Sequence, residues 1–132
     1  MAETEVAENK TGGEVHRLVP MAPVADVERS IHFYRRFGME VRSTLAPDGK
    51  TIVWAHVARQ DAELMFTRAA ASAVAKTNMI FYLYTSNLVA LRASLVANRV
   101  EVSEISYPAY MPEGEICLKD PDGYTVYVGQ AD

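Results

Sequence analysis

From residue 15 onward the chain spells the same order of elements twice, and this repeat limits the fold more than any other feature of the sequence. The first pass opens on an apolar, strand-like run at 15–21, interrupted by His16 and Arg17 and flanked at its end by Pro20 and Pro23, as suits an edge strand or a strand exit. Asp26 can cap a helix whose apolar stripe is Val27, Ser30, Ile31, Tyr34 and Phe37. Gly38 stands at the natural stop. Residues 39–43 read as a short strand, Pro47-Asp48-Gly49 as a turn, and 51–57 and 63–67 as two more strands joined through Arg59-Gln60-Asp61. The second pass runs through a β-rich stretch at 79–85, a helix capped by Asn87 with the stripe Leu88, Leu91 and Leu95, and a short strand at 100–103. It closes on the turn Pro112-Glu113-Gly114 and strands at 115–119 and 124–128, separated by Asp120-Pro121-Asp122-Gly123.

Phe37-Gly38-Met39-Glu40-Val41 matches Asn98-Arg99-Val100-Glu101-Val102 at an offset of 61, and Gly49 matches Gly114 at an offset of 65. The pattern is βαβββ, twice. Neither half alone covers both faces of its sheet, but two halves can, with helices outside and a cleft inside. The expected class is α+β: two βαβββ modules forming a curved mixed sheet with a central cleft. Module 1 spans 15–67, a linker 68–77 and module 2 78–130, a single domain of 15–130 behind a flexible acidic tail of 1–14.

Bulk properties agree with one globular unit. The 132 residues suit one domain, and 49% hydrophobic with 23% charged residues is an ordinary balance. A net charge of −4 argues against nucleic acid or an anionic membrane as partner. No apolar run approaches the roughly 20 residues that span a bilayer. The N-terminus lacks a basic and apolar leader, and the lone Cys117, in an apolar run without an activating neighbour, suits a reducing compartment. A cytoplasmic location is expected.

The stretch Val24-Ala25-Asp26-Val27-Glu28-Arg29-Ser30-Ile31-His32-Phe33-Tyr34, followed by Phe37-Gly38, resembles the first-helix signature of the vicinal oxygen chelate superfamily. This is the group of glyoxalases, bleomycin resistance proteins and dioxygenases. Lys119-Asp120-Pro121-Asp122-Gly123-Tyr124 resembles its closing hairpin, and the resemblance covers residues 15–129. It implies a paired βαβββ fold with a U-shaped cleft, often in a dimer. Enzymes of this type hold a divalent metal there, and non-enzymatic relatives bind antibiotics such as bleomycin without one. The same motifs also have a purely structural reading, as a hairpin turn and a helix core.

Laying the family's ligand pattern on this sequence gives four positions: Val19, Glu63, Ile80 and Tyr127. Only Glu63 is an ordinary ligand, whereas a metal needs three or four converging donors. His16, His32 and His56 share no evident face, no Gly-x-Ser-x-Gly elbow is present, and Cys117 lacks partners. No metal and no cofactor are therefore expected. Glu63 is a weak candidate for a general base, set against a plainer reading as a carboxylate paired with a nearby arginine.

Strand alternation sorts the cleft lining. Arg17 and Met21 share parity with Val19, Tyr82 and Tyr84 with Ile80, Met65 with Glu63, and Thr125 with Tyr127. The opposite set, Leu18, Leu64, Phe66, Phe81, Leu83, Val126 and Val128, is apolar and suits a core. The expected ligand-binding residues are Arg17, Met21, Trp54, Glu63, Met65, Tyr82, Tyr84, Tyr110 and Tyr127, with an ordinary core as the competing reading. Tyr107, Tyr110 and Met111, in the loop at 106–112, could cap the cleft or pack across a dimer interface, with a plain hairpin loop lying against its own sheet as the alternative. The function expected is metal-independent binding of a small molecule, such as an antibiotic or another partly aromatic compound, by a homodimer. The alternatives are a lyase, isomerase or dioxygenase of the same superfamily with an atypical or metal-free site, and a dimeric scaffold without ligand.

Overall fold

A computed structural model describes residues 12–74 and 78–132; most of the expected tail and part of the expected linker lie outside the described residues. The first module contains β1 (Met21–Val24), α1 (Val27–Arg35), β2 (Glu40–Leu45), β3 (Trp54–Arg59) and β4 (Ala62–Arg68), followed by a short 3₁₀ turn at Ala71–Ala73. The second contains β5 (Ile80–Thr85), α2 (Leu88–Ala97), β6 (Glu115–Lys119) and β7 (Thr125–Gln130). The sheet orders are β1-β4-β3-β2 and β5-β7-β6. In each module the first strand runs parallel to the last and the remaining pairs are antiparallel. The strand pairing therefore forms two sheets, one per module, rather than one continuous curved sheet.

The helices form where the sequence supplies caps and stripes. The Asp26 carboxylate accepts from the Arg29 N–H, and the Asn87 side chain accepts from the Ala90 N–H. Gly38 and Arg99 turn the chain away after α1 and α2 with positive φ of 87° and 63°. The buried face of α1, namely Val27, Ser30, Ile31, Phe33 and Tyr34, packs on the sheet face carrying Ala55, Val57, Leu64 and Phe66. Leu88 and Leu95 of α2 belong to the same core as Ile116, Leu118, Val126 and Val128 of the second sheet.

Three expectations are corrected. The first strand is Met21–Val24, not 15–21. Its parallel ladder with β4 starts at Met21 opposite Met65, and residues 15–20 are not part of it although β4 itself begins at Ala62. Leu18 is consequently 82% exposed rather than in the core. Pro23 fits inside this strand because the Pro20 and Val24 carbonyls accept from Met65 and Ala69, which turns position 23 to the free edge. Second, 100–103 is no strand: only the isolated bridges Val102–Leu118 and Ser106–Glu115 form. The Ser103 hydroxyl takes the Cys117 N–H at 2.9 Å, putting a side chain where a backbone carbonyl would continue the ladder. Third, Gly49 and Gly114 are not counterparts. Gly114 directly precedes β6, whereas Gly49 closes a turn with Ala46 five residues before β3.

The two modules are tied by the turn between β6 and β7. Asp120 accepts from the Tyr34 hydroxyl at 2.7 Å. Asp122, its side chain 1% exposed, accepts from the Ala25 N–H and from Arg29 and Ser30 of α1. The Tyr124 hydroxyl reaches back to the Pro23 carbonyl at 2.7 Å. A motif legible as a hairpin turn thus also fastens module 2 to the first helix of module 1.

Candidate functional site

Pairing register fixes which side chains share a row on the faces away from the helices. In the first sheet Met21, Met65 and His56 are paired neighbours, with Glu63 one step along the same face of β4. In the second sheet Tyr82, Tyr127 and Cys117 form the corresponding row, and Tyr84, Gly129 and Glu115 the next. Since the capping residues Asp26 and Asn87 are 61 apart, Met21 corresponds to Tyr82 and therefore Met65, not Glu63, corresponds to Tyr127. The sequence-level match of Tyr127 to Glu63 is off by two residues.

Glu63 anchors one polar cluster. The Arg17 guanidinium donates to both its oxygens, through Nε at 2.9 Å and through a closer Nη2 contact. His56 Nε2 lies 2.7 Å from Glu63 Oε1. The Arg17 hydrogen bonds, helped by His56 and opposed by partial desolvation, hold the Glu63 carboxyl down at about 2. A carboxylate of that acidity is a poor general base near neutrality, so the arginine-paired reading describes this geometry.

A second cluster surrounds Glu115, which is 5% exposed. Its two oxygens accept from the Tyr82 hydroxyl at 2.5 Å and the Tyr110 hydroxyl at 2.8 Å. The Tyr82 and Tyr127 rings stack at 5.8 Å with planes 13° apart, and the Tyr84 ring lies 5.2 Å from Tyr82, tilted by 39°. Desolvation and the bond to Glu115 push the Tyr82 phenol up, and the neighbouring Cys117 thiol pushes the Tyr127 phenol up. Gly129 makes room for this packing: a Cβ there would fall 2.7 Å from Met111 Cε and 3.2 Å from Tyr82 Cε1. The 106–112 loop therefore folds back on its own sheet through Met111 and Tyr110, leaving Tyr107 and most of Tyr110 exposed.

A cleft of about 800 Å³ opens between the β3–β4 hairpin and β5, with Glu63, Asp61 and Pro20 on one side, Ile80, Tyr82 and Tyr84 on the other, and Tyr34 and Phe37 within. Of the nine expected ligand-binding residues, Glu63, Tyr82 and Tyr84 line this cleft. Arg17 abuts it through Glu63, and Tyr127 and Tyr110 abut it through Tyr82 and Glu115. Met21 and Met65 share the His56 row, and Trp54 lies half-buried one step farther along β3. Sequence reasoning missed His56 and Glu115. The two-residue turn between Arg59 and Ala62 sets Ala58 opposite Glu63, which brings His56 diagonally onto Glu63, a signal present in the hairpin spacing. Glu115 alternates with Cys117 and Lys119, which identifies its face but not its burial.

The four ligand positions implied by the fold family do not make a metal site. Val19 and Ile80 offer hydrocarbon side chains, Tyr127 a phenol pushed up, and the fourth position falls by register on Met65, while Glu63, two residues before it, is already bound by Arg17 and His56. Among the described residues no three His, Cys, Asp or Glu side chains gather into a candidate donor set. Among the described residues, too, no helix is long and apolar enough to cross a membrane.

Residues 15–128 match the sequence model described as the Glyoxalase/Bleomycin resistance protein/Dioxygenase superfamily. Similar solved structures include a bleomycin resistance determinant encoded on the transposon Tn5, with 17% identity over 89% of this chain and 99% of that one and a TM-score of 0.69. A bleomycin-binding protein complexed with bleomycin matches at 17% identity over 89% of this chain and all of that one, TM-score 0.68. TnmS3, an antibiotic binding protein from Streptomyces sp. CB03234, matches at 19% identity over 92% and 99%, TM-score 0.70. No significant match was found among curated protein sequences.

Proposed function

The chain belongs to the Glyoxalase/Bleomycin resistance protein/Dioxygenase superfamily, and from that membership we propose that it is a metal-independent binder of a small, partly aromatic molecule. The observation that carries this reading is the wall of tyrosines, Tyr82 stacked on Tyr127 and flanked by a tilted Tyr84, beside a cleft of about 800 Å³. Such rings give flat apolar surface with a polar handle, and a cavity of this size suits a drug-sized compound. Metal independence is supported by Val19 and Ile80, which have no donor atoms. Arg17, Met21, Trp54, Met65 and Tyr110 are the surrounding residues proposed to complete the binding surface. The antibiotics bound by relatives suggest sequestration of a comparable compound, and the proposed setting is the cytoplasm, as a homodimer.

A second reading, an enzyme with a metal-free site, is favoured by one observation: the 2.7 Å contact of His56 Nε2 with Glu63, which would orient the ring. The two readings part on metal content and turnover. Elemental analysis after mild chelation is expected to find no stoichiometric divalent metal, while a thermal-shift screen of planar aromatic and glycopeptide-like compounds finds ligands. One tightly held Zn, Ni, Mn or Fe per chain would overturn the metal-free reading, and chemical conversion of a hit would favour the enzyme.

A further inference from the structure

We propose that the Tyr82–Glu115 wall selects a ligand carrying a planar organic cation. This rests on the small-molecule-binding reading above and names the ligand chemistry of the same cleft. The buried Glu115 carboxylate sits behind the rings, engaged by two phenol hydroxyls, of Tyr82 at 2.5 Å and Tyr110 at 2.8 Å. A phenol donating to a carboxylate gains phenolate character, which makes the ring face more electron-rich, and a cation is drawn to such a face. The ring faces, not the carboxylate, meet the ligand: Tyr84 is 66% exposed and Tyr82 lines the cleft, while Glu115 is 5% exposed. Tyr82 and Tyr127 lie nearly parallel, with Tyr84 tilted 39° against Tyr82, and the flat pair favours a delocalised ring cation over a compact ammonium.

The rest of the cleft has the same polarity. Among its lining residues Asp61, Glu63 and Asp132 are acidic and Arg59 is basic. Glu63 is already compensated by Arg17. Arg59 offsets one of Asp61 and Asp132, which leaves one acidic charge in the lining and the buried Glu115 behind it to favour positive charge. Burial makes Glu115 the least screened of these, and its field reaches the ligand through the tyrosine rings.

The test uses the full chain and three probes of one shape: N-methylacridinium, acridine at a mildly alkaline pH where it is uncharged, and acridine-9-carboxylate. Binding is read by fluorescence titration. The cation is expected to bind tighter than the uncharged probe by about three- to thirty-fold, with the anion weakest. Glu115→Gln should remove most of that preference, read as the ratio of cation to acridine affinity within the same variant. Tyr82→Phe keeps the ring but removes the hydroxyl bond, and serves the same purpose should Glu115→Gln fail to fold. Asp61→Asn should leave most of the preference in place. Equal binding of cation and uncharged probe, or a preference that survives both Glu115→Gln and Tyr82→Phe, overturns the proposal but leaves the cleft a binding site. If none of the three probes binds while the compound screen yields ligands, the cation proposal falls alone. If that screen is also blank, the binding reading falls with it.

Discussion

Glu63 is the residue on which the chemistry of the first module turns, and its environment makes a specific prediction. Its folded carboxyl lies at about 2 against an ordinary 4.5, because Arg17 and His56 hydrogen-bond the charged form. A carboxyl depressed on folding stabilises the fold above its unfolded value and loses that contribution as pH falls toward the folded one. The contribution of Glu63 is therefore expected to be complete near neutrality and to fade between about pH 4.5 and 2. A carboxyl-detected NMR titration should place its midpoint well below those of exposed glutamates. In Arg17→Ala the midpoint should climb toward the ordinary range; an unchanged midpoint would mean that the guanidinium is not its main partner. Alternation in the sequence assigns Arg17 and Glu63 to one face, and the two do meet, although Arg17 lies on the segment before β1. His56 escaped because its partner depends on the pairing register of two strands, and Glu115 escaped because burial of a carboxylate depends on a loop, 106–112, whose path the alternation does not encode.

At the level of elements, the turn after β6 does more than reverse the chain. Asp122 accepts from a backbone N–H, a guanidinium and a hydroxyl of the other module, with its side chain 1% exposed. Asp122→Ala strips the Ala25 N–H and the Ser30 hydroxyl of their partner, which costs roughly 1–3 kcal/mol for an unsatisfied buried polar group. Chemical denaturation is the check: a midpoint indistinguishable from the parent would show that the modules are held by the apolar core alone. The helices were legible because caps, stripe and stop residue agree with one another, and most of the hairpin strands were legible to within a few residues. The failures have local causes. The first strand lies at Met21–Val24, where its ladder with β4 starts only at Met65, and residues 100–103 failed to form a strand because the Ser103 hydroxyl competes for the Cys117 N–H. The duplication survived both errors, since α1 and α2 are each capped in the same way and each sheet places its first strand parallel to its last.

For the whole molecule, a βαβββ module and a βαββ module share one core and leave a cleft between them, and several large apolar side chains stay exposed, Ile80 and Tyr84 among those lining the cleft. Met21, Ile80, Tyr84, Tyr107 and Tyr110 are each at least half exposed. Burying such a surface against a second copy is the simplest way to shield it, and two-fold dimers are the commonest assembly. Sedimentation velocity is expected to show a dimer at micromolar concentration; a monomer persisting at high micromolar concentration would argue that these side chains serve the ligand alone. The central claim, that the cleft binds a small molecule through its tyrosines and without a metal, is tested most directly by calorimetric titration of chelator-treated protein with a ligand from the compound screen. Binding should persist without metal, weaken by about tenfold or more in Tyr82→Ala and Tyr127→Ala, and be unaffected in His16→Ala, whose side chain is exposed on the segment before β1. Binding that appears only when a divalent metal is restored, or that vanishes with His16 while both tyrosine variants bind normally, would contradict it.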